Sequence, residues 1–319
     1  MSYQAIIDLG SNTVRLCIYH LEPFALHHIK HHQTYSWDQD GIHISLNYKV
    51  MAGLASFVTD GVMSKQGIKK ATKTINDHLI RASHFGCDRP ENIHIFATAV
   101  LRNCLNSEEA KHAIEEGCGF PITMLSNKEE AHLGFVGASL DTIPDQGVLI
   151  DIGGGSTELT VFADGADRDN VSLSQGSLSS YARFVEGILP TPREMEAIER
   201  AFEEKLSVLN KARYQTPKLC GIGGTVRSVA KLYGDMCNDG KRISTITREH
   251  LEIILAAYKQ NQNAFAHTAL KTIPDRIHTF IPGCIILRSL FLFCQAETLT
   301  VCKHGLREGC LIDKIIMSR

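Results

Sequence analysis

Asp8-Leu9-Gly10-Ser11-Asn12-Thr13 and Asp151-Ile152-Gly153-Gly154-Gly155-Ser156-Thr157 are two near-copies of one turn, and their reading decides the fold. Each follows an apolar run, Ala5-Ile6-Ile7 and Val148-Leu149-Ile150. Each leads into a second strand-like run, Val14-Arg15-Leu16-Cys17-Ile18-Tyr19 and Glu158-Leu159-Thr160-Val161-Phe162. The pattern predicts a β-hairpin with a carboxylate ending its first strand and a turn too small-sided to obstruct an incoming phosphate. Glycine lets such a backbone bring N–H groups close to an anion. Two copies in one chain, each headed by Asp, predict two similar domains facing a shared cleft.

Length and composition agree with this. The chain has 319 residues and 44% hydrophobic content, enough for two domains that each bury a core. A net charge of −2 argues against a broad nucleic-acid-binding surface but leaves room for a polyanion held in a locally basic site. Met1 leads directly into a strand, so no secretory leader is expected, and the apolar stretch Ile281 to Phe293 reads as too short for a bilayer. A soluble cytoplasmic protein is the expectation, without membrane or nucleic-acid partners. The ten cysteines are scattered with no C-x-x-C pair, and are expected to be reduced and structural.

The order of elements reads as α/β, repeated twice. An extended arm is expected over Phe24 to Tyr35. A helix follows from Lys65 to Phe85, with Gly86 as its stop, then a strand at Asn92 to Thr98 and a helix capped by Ser107. After a strand at Pro121 to Leu125 come a helix at Lys128 to Leu140 and the second hairpin, Gly147 to Phe162. A long helix at Arg193 to Asn210 precedes a strand running into Gly221-Ile222-Gly223-Gly224-Thr225, and a helix opens at Val226. The lobes are drawn as 1–124 and 125–305. The last helix, about 306–319, could return to the first.

The hard oxygen ligands that Mg²⁺ (or Mn²⁺) prefers are available in Asp8, Asp151 and Glu158, completed by waters and substrate phosphates. Asp151 and Glu158 flank one tight turn and can project together. Arg102 closes Ala97-Thr98-Ala99-Val100-Leu101-Arg102-Asn103 at the end of a buried strand, and its guanidinium fork suits phosphate. Gly223, Gly224 and Thr225 stand at a helix N-terminus, which favours anions. The turn residues Ser11, Asn12, Gly153, Gly154, Gly155 and Ser156 complete the phosphate-binding candidates. His27, His28, His31 and His32 have no nearby partners to complete a metal site and read as a solvated strand, and Trp37 reads as a packing residue.

Taken together these motifs resemble the exopolyphosphatase / guanosine pentaphosphate phosphatase (Ppx/GppA) family. That family lies within the actin, sugar kinase and heat-shock-protein-70 superfamily, whose lobes are ribonuclease H-like. The resemblance runs nearly end to end and includes Ser126-Asn127-Lys128-Glu129-Glu130-Ala131 and Gly305-Leu306-Arg307-Glu308-Gly309. It implies a two-lobed actin-like fold with the active site in an interdomain cleft, and Glu130 as the base that activates the attacking water. It further implies metal at the matching acids, phosphate at Arg102, and pairing as a homodimer. The expected reaction is release of terminal orthophosphate from inorganic polyphosphate. The alternative is removal of the 5′-terminal phosphate of guanosine pentaphosphate (giving the tetraphosphate). A superfamily kinase and a non-catalytic alarmone sensor are the readings from other classes. Where the family usually carries Arg, Arg and Arg-Ala-Asp, this chain has His132, Gln175-Gly176-Ser177-Leu178-Ser179 and Arg276-Ile277-His278, which predicts a weaker grip on long polyanions. Arg307 could equally be structural and is left outside the candidate site.

Overall fold

A computed structural model describes residues 2–22 and 41–317. The arm at Phe24–Tyr35, the four clustered histidines and Trp37 lie outside the described residues. In chain order the elements are β1 (Ser2–Leu9), β2 (Thr13–Leu21), β3 (Ile42–Met51), a small ribbon of β4 (Val58–Thr59) and β5 (Val62–Met63), α1 (Lys65–Ser83), β6 (Ile93–Ala97), α2 (Ala99–Arg102), α3 (Ser107–Cys118), β7 (Ile122–Met124) and α4 (Asn127–Ala138). Then follow β8 (Gln146–Ile152), β9 (Thr157–Ala163), β10 (Ala166–Leu173), α5 (Ser177–Phe184), α6 (Pro192–Ser207), β11 (Lys218–Ile222) and α7 (Gly223–Cys237). The last are β12 (Thr245–Thr247), α8 (Arg248–Gln260), α9 (Gln262–Thr272), α10 (Ile277–Cys294), β13 (Thr298–Val301) and α11 (Leu306–Gly309), which runs on into a π-helical segment, Cys310–Ile316.

The chain forms two compact units, Met1–Leu140 with Leu306–Arg319, and Asp141–Gly305. The boundary therefore falls at Leu140/Asp141 and not near 124, a correction to the division read from sequence. Packing is the reason. Leu125, Leu133 and Leu140 share a buried cluster with Ile6, Cys17, Tyr19, Leu311 and Ile315, so α4 belongs to the first core.

In the first unit the sheet order is β3-β2-β1-β6-β7, with β1–β2 and β2–β3 antiparallel and β1–β6 and β6–β7 parallel. In the second it is β10-β9-β8-β11-β13-β12, and its first five strands repeat the same arrangement. Parallel neighbours require helical crossovers, and α1 and α7 with their neighbours supply them. The side-chain period of two sorts β1 and β2 between two cores. Ile7, Leu9, Val14 and Leu16 face the cluster that includes Ala71 and Ile75 of α1. Ile6, Cys17 and Tyr19 face α4 and the C-terminal segment. By the same alternation Asp8 and Arg15 face the C-terminal segment too.

That segment packs very closely on α4. A β-carbon on Gly309 would overlap the Leu133 carbonyl and lie 3.1 Å from the Gly137 nitrogen, so backbone meets backbone. Gly309→Ala is expected to cost about 3 kcal/mol or more, because neither helix can yield without moving the sheet beneath it. Urea unfolding of the purified variant measures this, and an unchanged midpoint would contradict the packing argument.

The helix ends differ from expectation by a residue or two. Ser107 is the first helical residue and not the cap, because Asn106 precedes it and spends its side chain on Met63. Helix α7 starts at Gly223 and not at Val226. The apolar stretch at Ile281 is part of a longer one, Pro274–Cys294, which by length and composition could cross a bilayer, although 72% of that window is buried inside the protein. Its charged interruption, Arg288, is bonded to Glu199 of α6 at 2.5 Å. All ten cysteines are free.

Where the chain enters and leaves the second unit, Asp141 ties the two crossings. Its Oδ2 accepts from the backbone N–H of Lys303 (2.7 Å) and of His304 (3.0 Å), and its Oδ1 lies 3.1 Å from His304 Nδ1. Burial alone would raise the Asp141 carboxyl, but the His304 ring and these N–H groups hold it below the usual value. A depressed folded-state value means the stabilisation is full above the ordinary carboxylate range and is lost as pH falls through it. Asp141→Asn is therefore expected to lose about 2 kcal/mol at pH 7, with the gap to the parent narrowing toward pH 3. Denaturation at the two pH values checks this.

Candidate active site

Each unit presents its own half of the candidate residues, built on the same turn. In the first hairpin Gly10 N–H donates to the Thr13 carbonyl at 3.0 Å, and in the second Gly153 N–H donates to the Ser156 carbonyl at 2.9 Å. In both, a short following helix takes up the turn's outward carbonyls. Ala55 and Gly53 donate to Ser11 and Asn12, each at 2.9 Å. Ser177 donates to Gly153, and Leu178 and Ser179 donate to Gly154, all at 2.9 Å. A trans peptide sets its N–H opposite its carbonyl. The N–H groups of Asn12 and Thr13, and of Gly154 and Gly155, therefore point to the other side, as an anion nest requires.

Gly176 makes the second arrangement possible. A β-carbon there would lie 2.6 Å from the Gly153 carbonyl oxygen and 2.7 Å from the Gly154 carbonyl. The Gln175–Ser179 segment, read from sequence only as a missing arginine, thus braces the turn.

The strand-end aspartates differ in their cross-strand partners. Asp151 stands opposite Glu158, and directly opposed residues of an antiparallel pair share a face, so the two carboxylates are neighbours. Glu158 is buried, and its Oε1 accepts from Ser172 Oγ at 2.8 Å. Asp151 lies against Gly223, whose φ is +83° and whose β-carbon would overlap Asp151 Oδ1, so both the conformation and the space require glycine. Asp8 instead stands opposite Arg15, and its Oδ2 accepts from Arg307 Nη1 at 3.1 Å. Asp8 was expected as a metal ligand, but its charge is already countered within the unit. Among the described residues no three His, Cys, Asp or Glu side chains gather as a metal site. The Asp151–Glu158 pair fits a hard divalent cation that keeps waters and substrate oxygens for its remaining positions, whereas Asp8 in this pairing does not.

Arg307 belongs to a mostly buried charged cluster. Its neighbour Glu308 accepts from Tyr19 Oη at 2.7 Å, and Arg15 lies on the same face. Burial works against the Arg307 charge, yet Glu308 and Asp8 keep its value well above the ordinary one. Burial and the nearby Arg307 lower Arg15, and burial with Glu308 raises Tyr19. Arg15 and Arg307 were not read as site residues. The signal was available for Arg15, a charge in an apolar strand opposite the aspartate once hairpin register is assumed.

Arg102 and Glu130 come together. Arg102 Nη1 donates to Glu130 Oε2 at 2.7 Å and to the Leu125 carbonyl at 2.8 Å, with both side chains 14% exposed. Arg102 Nε and Nη2 are buried without a hydrogen-bond partner. Arg102 ends a single helical turn and not the strand itself. Glu129 is occupied elsewhere. It closes a capping box with Ser126 at the start of α4 and pairs with Lys314 at 3.2 Å, so the adjacent glutamates diverge as helical geometry requires.

At the start of α7, Thr225 is 2% exposed and its hydroxyl donates to the Ile152 carbonyl at 3.0 Å. It was expected to bind phosphate, but its side chain tethers strand to helix, leaving only the backbone for that task. Ser156 is likewise buried. Gly224 carries a feature no sequence pattern announced, since a β-carbon there would overlap the Arg276 guanidinium, which thus lies over the glycine turn.

Two strand-end aspartates on twin turns, with a glutamate–arginine pair beside them in sequence order, coincide with a known family. Residues 43–317 match the model of the Ppx/GppA phosphatase family. The chain belongs to the Ppx/GppA phosphatase family. A Haemophilus influenzae protein assigned provisionally as an exopolyphosphatase is 24% identical over 311 residues, covering 96% of this chain and 89% of that one. The crystal structure of the Aquifex aeolicus Ppx/GppA family member superposes with a TM-score of 0.75 at 20% identity, covering 99% of this chain and 98% of that one. An exopolyphosphatase from Cytophaga hutchinsonii gives 0.81 at 18% identity, covering 98% and 99%. These likenesses establish the fold that the Ppx/GppA structures share, and the Ppx/GppA match extends over both units.

Proposed function

We propose that this phosphatase releases terminal orthophosphate from inorganic polyphosphate. The Arg102–Glu130 pair carries the reading. A carboxylate is fixed by one guanidinium nitrogen, while two other nitrogens of the same guanidinium are buried and lack acceptors. A phosphate oxygen supplies what those donors lack, in the geometry a guanidinium fork favours. Glu130, held at the edge of that phosphate, takes the proton of the attacking water. The N–H groups of Gly154 and Gly155 bind phosphate oxygens, and the Arg276 guanidinium adds positive charge beside Gly224. Asp151 and Glu158 are the residues that would hold Mg²⁺ or Mn²⁺, which when bound shields the charge of the phosphoanhydride.

Orthophosphate release by purified protein, with polyphosphate and guanosine pentaphosphate side by side and Mg²⁺ or Mn²⁺ present, tests this. Release from polyphosphate is expected, and chelation of the metal is expected to stop it. Release from neither substrate would refute the reading. Guanosine pentaphosphate, the alternative that the family resemblance implies, is the second reading.

A further inference from the structure

The acid pair of the second unit has a third member that the phosphate chemistry leaves unused. Glu158 lies on β9 between β8 and β10, with Asp151 directly opposite on one side and Ser172 directly opposite on the other. Opposed residues of antiparallel strands share a face, so Asp151, Glu158 and Ser172 form one row across three strands. The adjoining row, Ile150, Leu159 and Val171, turns the other way and enters the apolar core. The first unit carries Asp8, Arg15 and Lys49 in the same places, two cations beside one acid. Ser172 is thus a neutral donor where the sister row has a lysine.

Ser172 fixes the side chain of Glu158 without neutralising it. Its Oγ donates to Glu158 Oε1 at 2.8 Å, and Glu158 is only 5% exposed. The backbone beside it is pinned too, since the buried Thr157 hydroxyl donates to the Gln175 carbonyl at 2.7 Å. A free glutamate has rotamers to lose when it takes a cation, and a bond that already holds it in one of them lowers that cost. A hydroxyl donates one hydrogen and brings no charge, so the carboxylate keeps oxygen lone pairs for a metal. A lysine in the same place would compete with the cation for the same acid.

We propose that Ser172 is a positioning residue for the divalent cation: it sets Glu158 in the orientation that receives the metal and takes no part in the reaction itself. The proposal rests on the reading of Asp151 and Glu158 as the residues that would hold Mg²⁺ or Mn²⁺. Hydrogen bonds to a ligating carboxylate orient it, and losing one weakens metal binding by about tenfold to a hundredfold.

Titration of the full chain with Mn²⁺, with free Mn²⁺ read by electron paramagnetic resonance, tests it without turnover. Ser172→Ala is expected to weaken Mn²⁺ binding about tenfold or more. The Mn²⁺ concentration for half-maximal phosphate release should rise by the same factor, with kcat at saturating metal kept within about twofold. Ser172→Thr keeps the hydroxyl and should bind Mn²⁺ within about twofold of the parent. Asp151→Asn removes a ligand and should abolish the binding, which identifies the site being titrated. If Asp151→Asn loses the binding while Ser172→Ala keeps it, with or without a lower urea midpoint, the bond is structural and this proposal alone falls. It falls equally if Ser172→Thr binds as weakly as Ser172→Ala. A parent that binds no Mn²⁺, or an Asp151→Asn variant that binds as the parent does, would overturn the assignment of the acid pair and this proposal with it.

Discussion

Glu130→Gln lowers phosphate release by roughly two to four orders of magnitude, the usual range for removing a general base, while the protein stays folded. The folded state survives because Gln keeps an oxygen for Arg102 Nη1, the 2.7 Å contact that fixes the side chain. Only the capacity to take a proton is gone. The alternative is that the Arg102–Glu130 pair is purely structural, in which case the variant would lower the unfolding midpoint and spare kcat. Single-turnover rates and a urea titration on the same preparation separate these outcomes. Glu129→Gln is the matched control. It weakens a capping box and a surface pair with Lys314, so it should cost stability of about 1 kcal/mol and little turnover.

Arg307→Met is expected to destabilise the protein by about 3–5 kcal/mol, the penalty for removing one member of a buried ion pair. The methionine fills a similar volume, so the loss is electrostatic. Asp8, bonded at 3.1 Å in the parent, and Glu308 lose their counter-charge in a site where Arg307 was only 15% exposed. Arg307→Lys retains a charge without the planar fork and should recover part of the loss. Urea unfolding measures both. A change below about 1 kcal/mol for Arg307→Met would mean that Asp8 finds compensation from Arg15, and the cluster would have to be read as a looser network.

The twin hairpins were legible because small turn residues, an aspartate and two apolar runs are local signals. The register that makes Asp151 and Glu158 neighbours follows from that local pattern alone. What the sequence concealed was long-range. Arg307 lies far along the chain from Asp8, and nothing in Gly305-Leu306-Arg307-Glu308-Gly309 says which strand it meets. Arg276 over Gly224 is equally distant and was visible only as an irregular motif. The lobe boundary was misplaced for a related reason. Helix α4 looks like a connector, but its backbone at Leu133 and Gly137 lies directly against Gly309 and binds it to the first core. Thr225 misled because a hydroxyl in a phosphate-type turn can serve the turn as readily as a ligand.

The two halves repeat a backbone and diverge in ionic character at one cross-strand position, Arg15 in the earlier copy and Glu158 in the later. A tandem assembled from two later halves would retain the strand order, yet it would carry two acid pairs and no internal counterion. Such a chain would repel the polyanion it is shaped to receive. The sign of the residue opposite each strand-end aspartate, with Arg307 added on the first, therefore separates a turn neutralised from within from one whose acids call for an outside cation.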